Sequence, residues 1–212
     1  MFNKDIYLKV YADNSWELYN KNSLEICSES HSQYLQIFRM VFSFKNYSNL
    51  LIIGGGDFQL ATEIGLEAPL GSSITIVDPV IHSYTPFVKY YVEDLDQIQL
   101  QDSLNHSNVT FNYIESIFSA AYPKLKNNKY EKIVIDCSEE INSDTSEIYK
   151  SKTFIKQLYS LLSDKGLLYI YIPPRAIFMK NELEKYFRLV DSYSKHIDAW
   201  KETATFYEFI KV

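Results

Sequence analysis

The fold is decided by the stretch LIIGGGD, residues 51–57, and by the stretch ITIVD, residues 74–78, that follows it. A short apolar run that ends in glycines predicts a buried parallel strand and a tight turn. Glycine has no Cβ atom, so a nucleotide-like ligand can approach the backbone closely there. Asp78, at the tip of the second run, can accept hydrogen bonds from both hydroxyls of a ribose. Together the two stretches predict the first β-α-β unit of a nucleoside-binding open sheet.

Composition and charge indicate a globular protein. Hydrophobic residues make up 46% of the 212 residues and charged residues 23%. No apolar run is long enough to cross a bilayer, and the first residues lack the apolar core of a signal peptide, so we expect a cytoplasmic protein with no membrane partner. A net charge of −6 without a clustered basic stripe argues against a nucleic-acid partner. The histidines and cysteines show no ligand spacing, so we predict no metal site.

The chain divides into a small first unit, residues 1–30, and a larger second unit, residues 31–212. Residues 5–28 alternate polar and apolar side chains, which predicts about three antiparallel strands. One helical face then follows between residues 32 and 42. From residue 49 onward, predicted strands alternate with predicted helices: strands at 49–53, 73–77, 108–113, 131–136 and 166–172, and helices at 58–66, 85–93, 115–125, 150–162 and 175–186. This alternation predicts a mostly parallel sheet with helices on both faces, and segments 187–194 and 204–211 add an antiparallel hairpin at its edge.

Acidic residues stand where four of these strands end. Asp57 follows the first core strand, Asp78 the second, Glu115 the third and Asp136 the fourth. Ligands of open α/β sheets bind beyond the carboxyl ends of the strands, so these acids are the candidate site residues. A single acid at such a position is more often a helix N-cap or a solvated loop residue, but caps explain four such acids together much less readily.

Three of these runs together resemble one enzyme family. LIIGGGD, then IVD, then YEKIVIDCSEE at residues 130–140 look like the spermidine synthases, which are polyamine aminopropyltransferases. The segment from Ser28 to Gln36 resembles the part of that family that carries a tyrosine, here Tyr34. The resemblance covers about residues 5–212. It implies a Rossmann-like fold of the class I S-adenosylmethionine-dependent methyltransferase type, with a small N-terminal β appendage.

The resemblance also implies an activity and a role for each matching residue. The expected reaction moves the aminopropyl group of decarboxylated S-adenosylmethionine, a co-substrate, to a diamine such as putrescine, giving spermidine and methylthioadenosine. Asp136 is the expected catalytic acid. The amine would be held by Tyr34, Glu139 and Trp200, and the nucleoside by Gly54, Gly55, Gly56, Asp57, Asp78 and Glu115. The expected partners are a small polyamine and a nucleoside sulfonium, no cofactor is expected to be tightly bound, and the resemblance suggests a homodimer.

The chemistry of that reaction independently requires carboxylates. An alkylamine is protonated near pH 7, so a carboxylate must hold the ammonium group and accept its proton as attack begins. The sequence departs from the family at Leu35, Phe58, Glu139 and Tyr171, which leaves the identity of the amine open. Two alternatives therefore stand beside the main prediction. One is a methyltransferase that uses intact S-adenosylmethionine on the same sheet, and the other is a paralogue that binds a nucleoside or polyamine without catalysis.

Overall fold

The N-terminal part of the protein is a separate three-stranded sheet. The computed structural model describes residues 6–20, 23–55, 59–79, 109–136, 151–172, 177–198 and 201–212. Strands β1 (Ile6–Val10), β2 (Trp16–Asn20) and β3 (Ser23–Cys27) pair antiparallel in the order β1-β2-β3. Asn14 has a φ of 66° in the first turn, a conformation that asparagine tolerates well. The three predicted strands are present, whereas the division into units 1–30 and 31–212 stays a prediction.

A seven-stranded mixed sheet forms the body of the protein, in the order β6-β5-β4-β7-β8-β10-β9. Its strands are β4 (Asn49–Gly54), β5 (Ser73–Asp78), β6 (Thr110–Glu115), β7 (Tyr130–Asp136), β8 (Leu162–Tyr171), β9 (Phe187–Ile197) and β10 (Glu202–Lys211). Strands β6, β5, β4, β7 and β8 are parallel, and β10 runs antiparallel to both β8 and β9. The direction of winding reverses between β4 and β7, and this reversal opens a crevice at the carboxyl ends of the two strands.

Helices cover both faces of this sheet. The described helices are α1 (Ser28–Val41), α2 (Gln59–Glu67), α3 (Phe118–Leu125), α4 (Lys152–Leu161) and α5 (Phe178–Leu183). The first turn of α1 is closed by Ser30, whose hydroxyl accepts a hydrogen bond from the backbone N–H of Cys27 at 3.0 Å. Ser151 caps α4 in a similar way, accepting from the N–H of Thr153 at 3.2 Å. These side chains satisfy backbone donors that a helix N-terminus leaves without an intrahelical partner.

The sequence predicted the order of the described elements of the sheet correctly, but two helix boundaries were wrong. The helix predicted at 115–125 begins at Phe118, because Glu115 still pairs with Asp78 in the ladder between β5 and β6. Of the helix predicted at 175–186, residues Phe178–Leu183 are helical and a turn leads from them to Phe187, where β9 starts, whereas residues 175 and 176 lie outside the described residues. The helix predicted at 85–93 lies outside the described residues.

Alternating side chains of the central strands divide the core into two layers. On one face, which we term the α1 layer, buried side chains of α1 and α2 pack on Leu50, Ile52, Ile74, Ile76 and Val134. On the opposite face, the α3 layer, buried side chains of α3, α4 and α5 pack on Leu51, Ile53, Val77, Ile133 and Ile135. This two-sided burial explains why the strands appear in the sequence as nearly continuous apolar runs.

A lysine interrupts one of these runs and is buried in the α1 layer. Lys132 of β7 is 3% exposed, and its Nζ atom donates hydrogen bonds to the carbonyl oxygens of Ser43 and, at 2.9 Å, Lys45. The ammonium group also lies 5.0 Å from the ring centre of Phe42 and 4.9 Å from that of Tyr47. Lys132 thereby holds the segment between α1 and β4 against the sheet.

Candidate functional site

Four predicted site residues lie in one row at the carboxyl edge of the sheet. Asp78 stands opposite Glu115 in the ladder between β5 and β6, and Gly54 stands opposite Asp136 in the ladder between β4 and β7. The ladder between β4 and β5 ends one residue earlier, so Gly54 and Asp78 are also neighbours. Buried side chains directly before Gly54, Asp78 and Asp136 face the α3 layer. Because successive strand residues point to opposite faces, the side chains of Asp78 and Asp136 face the α1 side.

The turn after β4 has the backbone conformation that glycine favours. Gly54 has a φ of 84° and Gly55 a φ of 68°, and the N–H of Gly55 donates a hydrogen bond to the carbonyl oxygen of Asp136 at 2.8 Å. A Cβ atom added to Gly55 would lie 3.3 Å from Asp136 Oδ2 and 3.3 Å from Ile52 Cγ2. A side chain at this position would therefore crowd the Asp136 carboxylate at the first turn of the crevice.

The two acids on the β5 side of this turn differ in burial. Asp78 is 8% exposed, and its backbone oxygen accepts a hydrogen bond from the N–H of Ser116 at 3.1 Å. Glu115 is exposed at the end of edge strand β6. A carboxylate at the end of the second strand, beside a glycine turn, is the arrangement that binds ribose hydroxyls in open sheets.

On the β7 side, the structure brings Tyr34 and Asp136 into contact across 102 positions of sequence. The Tyr34 hydroxyl donates a hydrogen bond to Asp136 Oδ1. Tyr34 lies on α1 and is 3% exposed, whereas Asp136 is half-buried at the end of β7. Its two carboxylate oxygens thus have different neighbours, Tyr34 at Oδ1 and the Gly55 turn at Oδ2.

Three further residues extend this group beyond the site residues that the sequence analysis predicted. Tyr171, at the end of β8, packs edge-to-face on Tyr34 with 5.8 Å between ring centres, and its hydroxyl donates to Glu202 Oε1 at 2.8 Å. Phe206 of β10 contacts both tyrosine rings, at 5.1 Å from Tyr34 and 5.8 Å from Tyr171. The sequence analysis noted Tyr171 only as a departure from a motif and did not consider Glu202. The predicted terminal hairpin could have indicated Glu202. Its last strand runs antiparallel to the central strands and therefore begins at the edge of the sheet where those strands end.

The remaining predicted site residues cannot be placed. Gly56, Asp57, Glu139 and Trp200 lie outside the described residues, as does Phe58. The roles predicted for Tyr34, Asp78, Glu115 and Asp136 stay predictions, although these four side chains share one edge of the sheet.

The described residues contain no group of three or more histidine, cysteine, aspartate or glutamate side chains that could hold a metal ion. Among the same residues, no helix has the length and apolar character needed to span a membrane.

The chain has the Rossmann-like fold of the class I S-adenosylmethionine-dependent methyltransferases. No protein-family model matches the sequence, and no curated protein matches it. The N-methyltransferase NodS from Bradyrhizobium japonicum, solved with S-adenosylhomocysteine, is similar at a TM-score of 0.58 and 14% identity, over 85% of this chain and 86% of that one.

Two further solved structures share the fold. TrmN from Thermus thermophilus has a TM-score of 0.62 and 13% identity, over 88% of this chain and 49% of its own. Fibrillarin from Aeropyrum pernix, with natively bound S-adenosylmethionine, has a TM-score of 0.57 and 10% identity, over 98% of this chain and 95% of its own. At these identities the similarity defines the fold.

The predicted membership of the spermidine synthase family, and with it aminopropyl transfer to a diamine, is wrong. The structural neighbours are S-adenosylmethionine-dependent methyltransferases, and NodS and fibrillarin hold S-adenosylhomocysteine and S-adenosylmethionine, not a decarboxylated donor. The motifs misled for a physical reason. The glycine turn and the acids lie at strand ends that a sheet of this topology offers to any adenosine-containing ligand, so they report the fold and not the group that is transferred.

Proposed function

We propose that this protein is an S-adenosylmethionine-dependent methyltransferase. The observation that carries the proposal is the buried carboxylate of Asp78 beside the left-handed Gly54–Gly55 turn, at the point where the winding of the sheet reverses. NodS and fibrillarin, which share the fold, hold S-adenosylhomocysteine and S-adenosylmethionine. The fold supplies the scaffold, and these residues supply the specific features that support the proposal.

The residues present fit such a donor. Because Gly55 has no Cβ atom, the turn packs directly against Asp136, and its bare backbone would allow close approach of the amino-acid end of the donor. Asp78 would accept hydrogen bonds from the ribose hydroxyls, and Glu115, one strand further out, would lie toward the adenine. When bound, S-adenosylmethionine supplies a methyl group that is already activated by the adjacent sulfonium.

Asp136 is the residue best placed to assist the acceptor. It lies directly beside the glycine turn, and Tyr34 holds one of its oxygens through a hydrogen bond. A carboxylate fixed in this way can orient a nucleophile and take its proton. The rings of Tyr34 and Tyr171 pack against each other beside this carboxylate.

The test is to measure donor binding and methyl transfer separately. Isothermal titration should give tighter binding of S-adenosylmethionine and S-adenosylhomocysteine than of the decarboxylated donor. We expect Asp136→Asn to reduce methyl transfer by about a hundredfold, the lower range for loss of a general base, while changing the affinity for S-adenosylhomocysteine by no more than about twofold.

Asp164→Asn is the matched control, because this carboxylate is fully exposed and lies outside the site. It should leave both binding and transfer unchanged. A wild-type chain that binds neither S-adenosylmethionine nor S-adenosylhomocysteine would contradict the proposal. Binding without transfer to any acceptor would favour the non-catalytic reading instead.

A further inference from the structure

We propose that the protein binds a small phosphorylated polyol in a polar groove toward the amino ends of the strands, away from the proposed donor site. The groove has a volume of about 680 Å³ and lies between β4, β5 and β6 on one side and the turn that joins α3 to β7 on the other. Cavities of this size hold small molecules. Asn49 of the groove and Gly54 of the donor site begin and end β4, roughly 16 Å apart, so this proposal does not depend on the proposed function.

The floor of the groove is a polar part of a sheet face that is otherwise apolar. Val77 of β5 is buried in the α3 layer, whereas Thr75 and Ser73, two and four residues before it, line the groove. Asn112 of β6 stands opposite Thr75 and lines the groove as well. Side chains two positions apart in a strand share a face, so this face changes from apolar to polar where the groove begins. Polar side chains at these positions match a polar occupant and not a packed helix.

Thr75 is the residue that points to a ligand in this groove. It is only 8% exposed, and within the described part of the chain its hydroxyl has no hydrogen-bond partner. A polar group buried to this degree costs free energy unless it is hydrogen-bonded. Because Thr75 lines the groove, an occupant of the groove is well placed to supply the partner. The side chain of Asm112 is excluded from that role, since its Nδ2 atom donates to Ser73 Oγ at 3.0 Å.

The charge along the groove favours an anion. Two lysines line it, Lys124 in the last turn of α3 and Lys129 in the following turn, and no aspartate or glutamate of the described chain does. Lys129 donates one hydrogen bond to the carbonyl oxygen of Ser160 at 2.5 Å, whereas Lys124 forms no ion pair with any described residue. The whole chain carries a net charge of −6, so this groove has the opposite sign. Lysine ammonium groups bind phosphate as point charges.

The neutral polar groups of the groove match hydroxyl groups of a ligand. Four side-chain amides line it together with the hydroxyl of Thr75, and they belong to Asn49, Asn112, Asn127 and Asn128. An amide offers two donors and a carbonyl acceptor, and a hydroxyl group can both donate to it and accept from it. Inorganic phosphate alone would leave most of these groups without a partner. A phosphate group near the lysines, joined to a short carbon chain or ring that bears hydroxyls, pairs with both kinds of group.

The experiment compares phosphorylated polyols with their two halves. Ribose 5-phosphate, glucose 6-phosphate and glycerol 1-phosphate are titrated into the full chain by calorimetry in a phosphate-free buffer of low ionic strength. The same titrations are made with ribose, glucose, glycerol and inorganic phosphate. We expect at least one phosphorylated polyol to bind about tenfold more tightly than its neutral parent and than phosphate, the factor typical of hydrogen bonds to a charged group. Added NaCl should weaken this binding, because it screens the lysines.

Four variants locate the bound ligand. Lys124→Gln should weaken binding about tenfold, and Thr75→Val, which keeps the shape and removes only the hydroxyl, about fivefold. Thr75→Val should not lower the free energy of unfolding, because the lost hydroxyl has no partner in the described chain. Lys126→Gln removes an exposed lysine that does not line the groove and is the matched control. Asp78→Asn, at the other end of the strands, should also leave the affinity unchanged.

Several outcomes would overturn this proposal. If none of the three phosphorylated polyols binds, the groove holds water alone. Wild-type affinity in both Lys124→Gln and Thr75→Val, or loss of binding in Asp78→Asn, would place the ligand outside the groove. A single-stranded RNA oligonucleotide that binds far more tightly than the polyols, and loses affinity in Lys124→Gln, would assign the groove to a nucleic acid instead. None of these results bears on the proposed methyltransferase, which is tested by S-adenosylhomocysteine binding.

Discussion

Gly55 is the single residue on which the proposed donor binding depends most directly. It has a φ of 68°, and a Cβ atom there would lie 3.3 Å from Asp136 Oδ2. We expect Gly55→Ala to lower the free energy of unfolding by about 1–2 kcal/mol because of left-handed strain. It should also weaken S-adenosylhomocysteine binding about tenfold or more, because the methyl group crowds the turn. Urea unfolding and calorimetry measure the two effects.

Gly71 provides a matched control at the same scale. Its φ is 81°, but a Cβ atom there would meet no atom within 4 Å. Gly71→Ala therefore introduces similar backbone strain without crowding, and donor affinity should stay at the wild-type value. Equal losses of donor affinity in both variants would mean that strain alone is responsible, and the close-approach role of Gly55 would be wrong.

The position of the candidate residues at the carboxyl edge of the sheet was what sequence reasoning predicted best. Asp78, Glu115, Gly54 and Asp136 were each identified from their place after an apolar run, because parallel strands end at a common edge. Their partners were harder to find. The hydrogen bond from Tyr34 to Asp136 joins residues 102 positions apart, and no local pattern encodes it.

At the scale of elements, the contact between β7 and the segment after α1 depends on a buried cation. Burial lowers the pKa of Lys132 from 10.5 to about 8, with the nearby Glu208 opposing the shift. Between these two pH values the unfolded chain binds more protons than the native one. The contribution of Lys132 to the free energy of unfolding therefore rises with pH across this window, by at most about 1.4 kcal/mol per pH unit.

This prediction is checked by urea unfolding of wild type and Lys132→Met between pH 7 and 10. The stability of wild type relative to the variant should be constant below pH 8 and should increase above it. Lys185→Met, which removes an ammonium group with a 58% exposed side chain, is the control and should show no such window. A wild-type advantage that falls as the pH rises would show that the carbonyl and aromatic contacts dominate over burial.

Elements themselves followed from periodicity where burial was simple. Two-sided burial made β4, β5 and β7 continuous apolar runs, and the helical spacing of Tyr34, Ile37, Phe38 and Val41 predicted α1. Periodicity failed at boundaries such as Glu115, because a strand continues for as long as its neighbour pairs with it. It also gave no indication that a lysine inside β7 would be enclosed by rings.

At the scale of the whole molecule, ligand binding should raise the stability of the entire fold. A ligand at a hundred times its Kd adds about 2.7 kcal/mol to the free energy of unfolding. For a chain of this length that corresponds to a rise in Tm of about 5–10 °C. We expect this rise for wild type with S-adenosylhomocysteine, measured by differential scanning calorimetry.

The same measurement on Asp78→Asn tests the ribose contact. The rise in Tm should be reduced by more than half, because a buried carboxylate that accepts two hydroxyls cannot be replaced by an amide. Asp164→Asn should keep the full rise. If the rise in Tm is unchanged in Asp78→Asn, Asp78 is not part of the nucleoside site. The Gly54–Gly55 turn would then be the main remaining support for a nucleoside site at this edge of the sheet.

The sequence by itself determined the class of fold and the edge of the sheet at which the candidate site residues lie. Both depend on local regularities, namely apolar runs, glycine turns and acids at strand ends. It did not determine which group is transferred, because a scaffold of this kind serves adenosine ligands in general, and motif resemblance pointed to the wrong chemistry. Only the tertiary structure joined Tyr34 to Asp136 and Tyr171 to Glu202. These contacts link α1, β7, β8 and β10, and they arise only when the sheet is assembled and β10 returns antiparallel along β8.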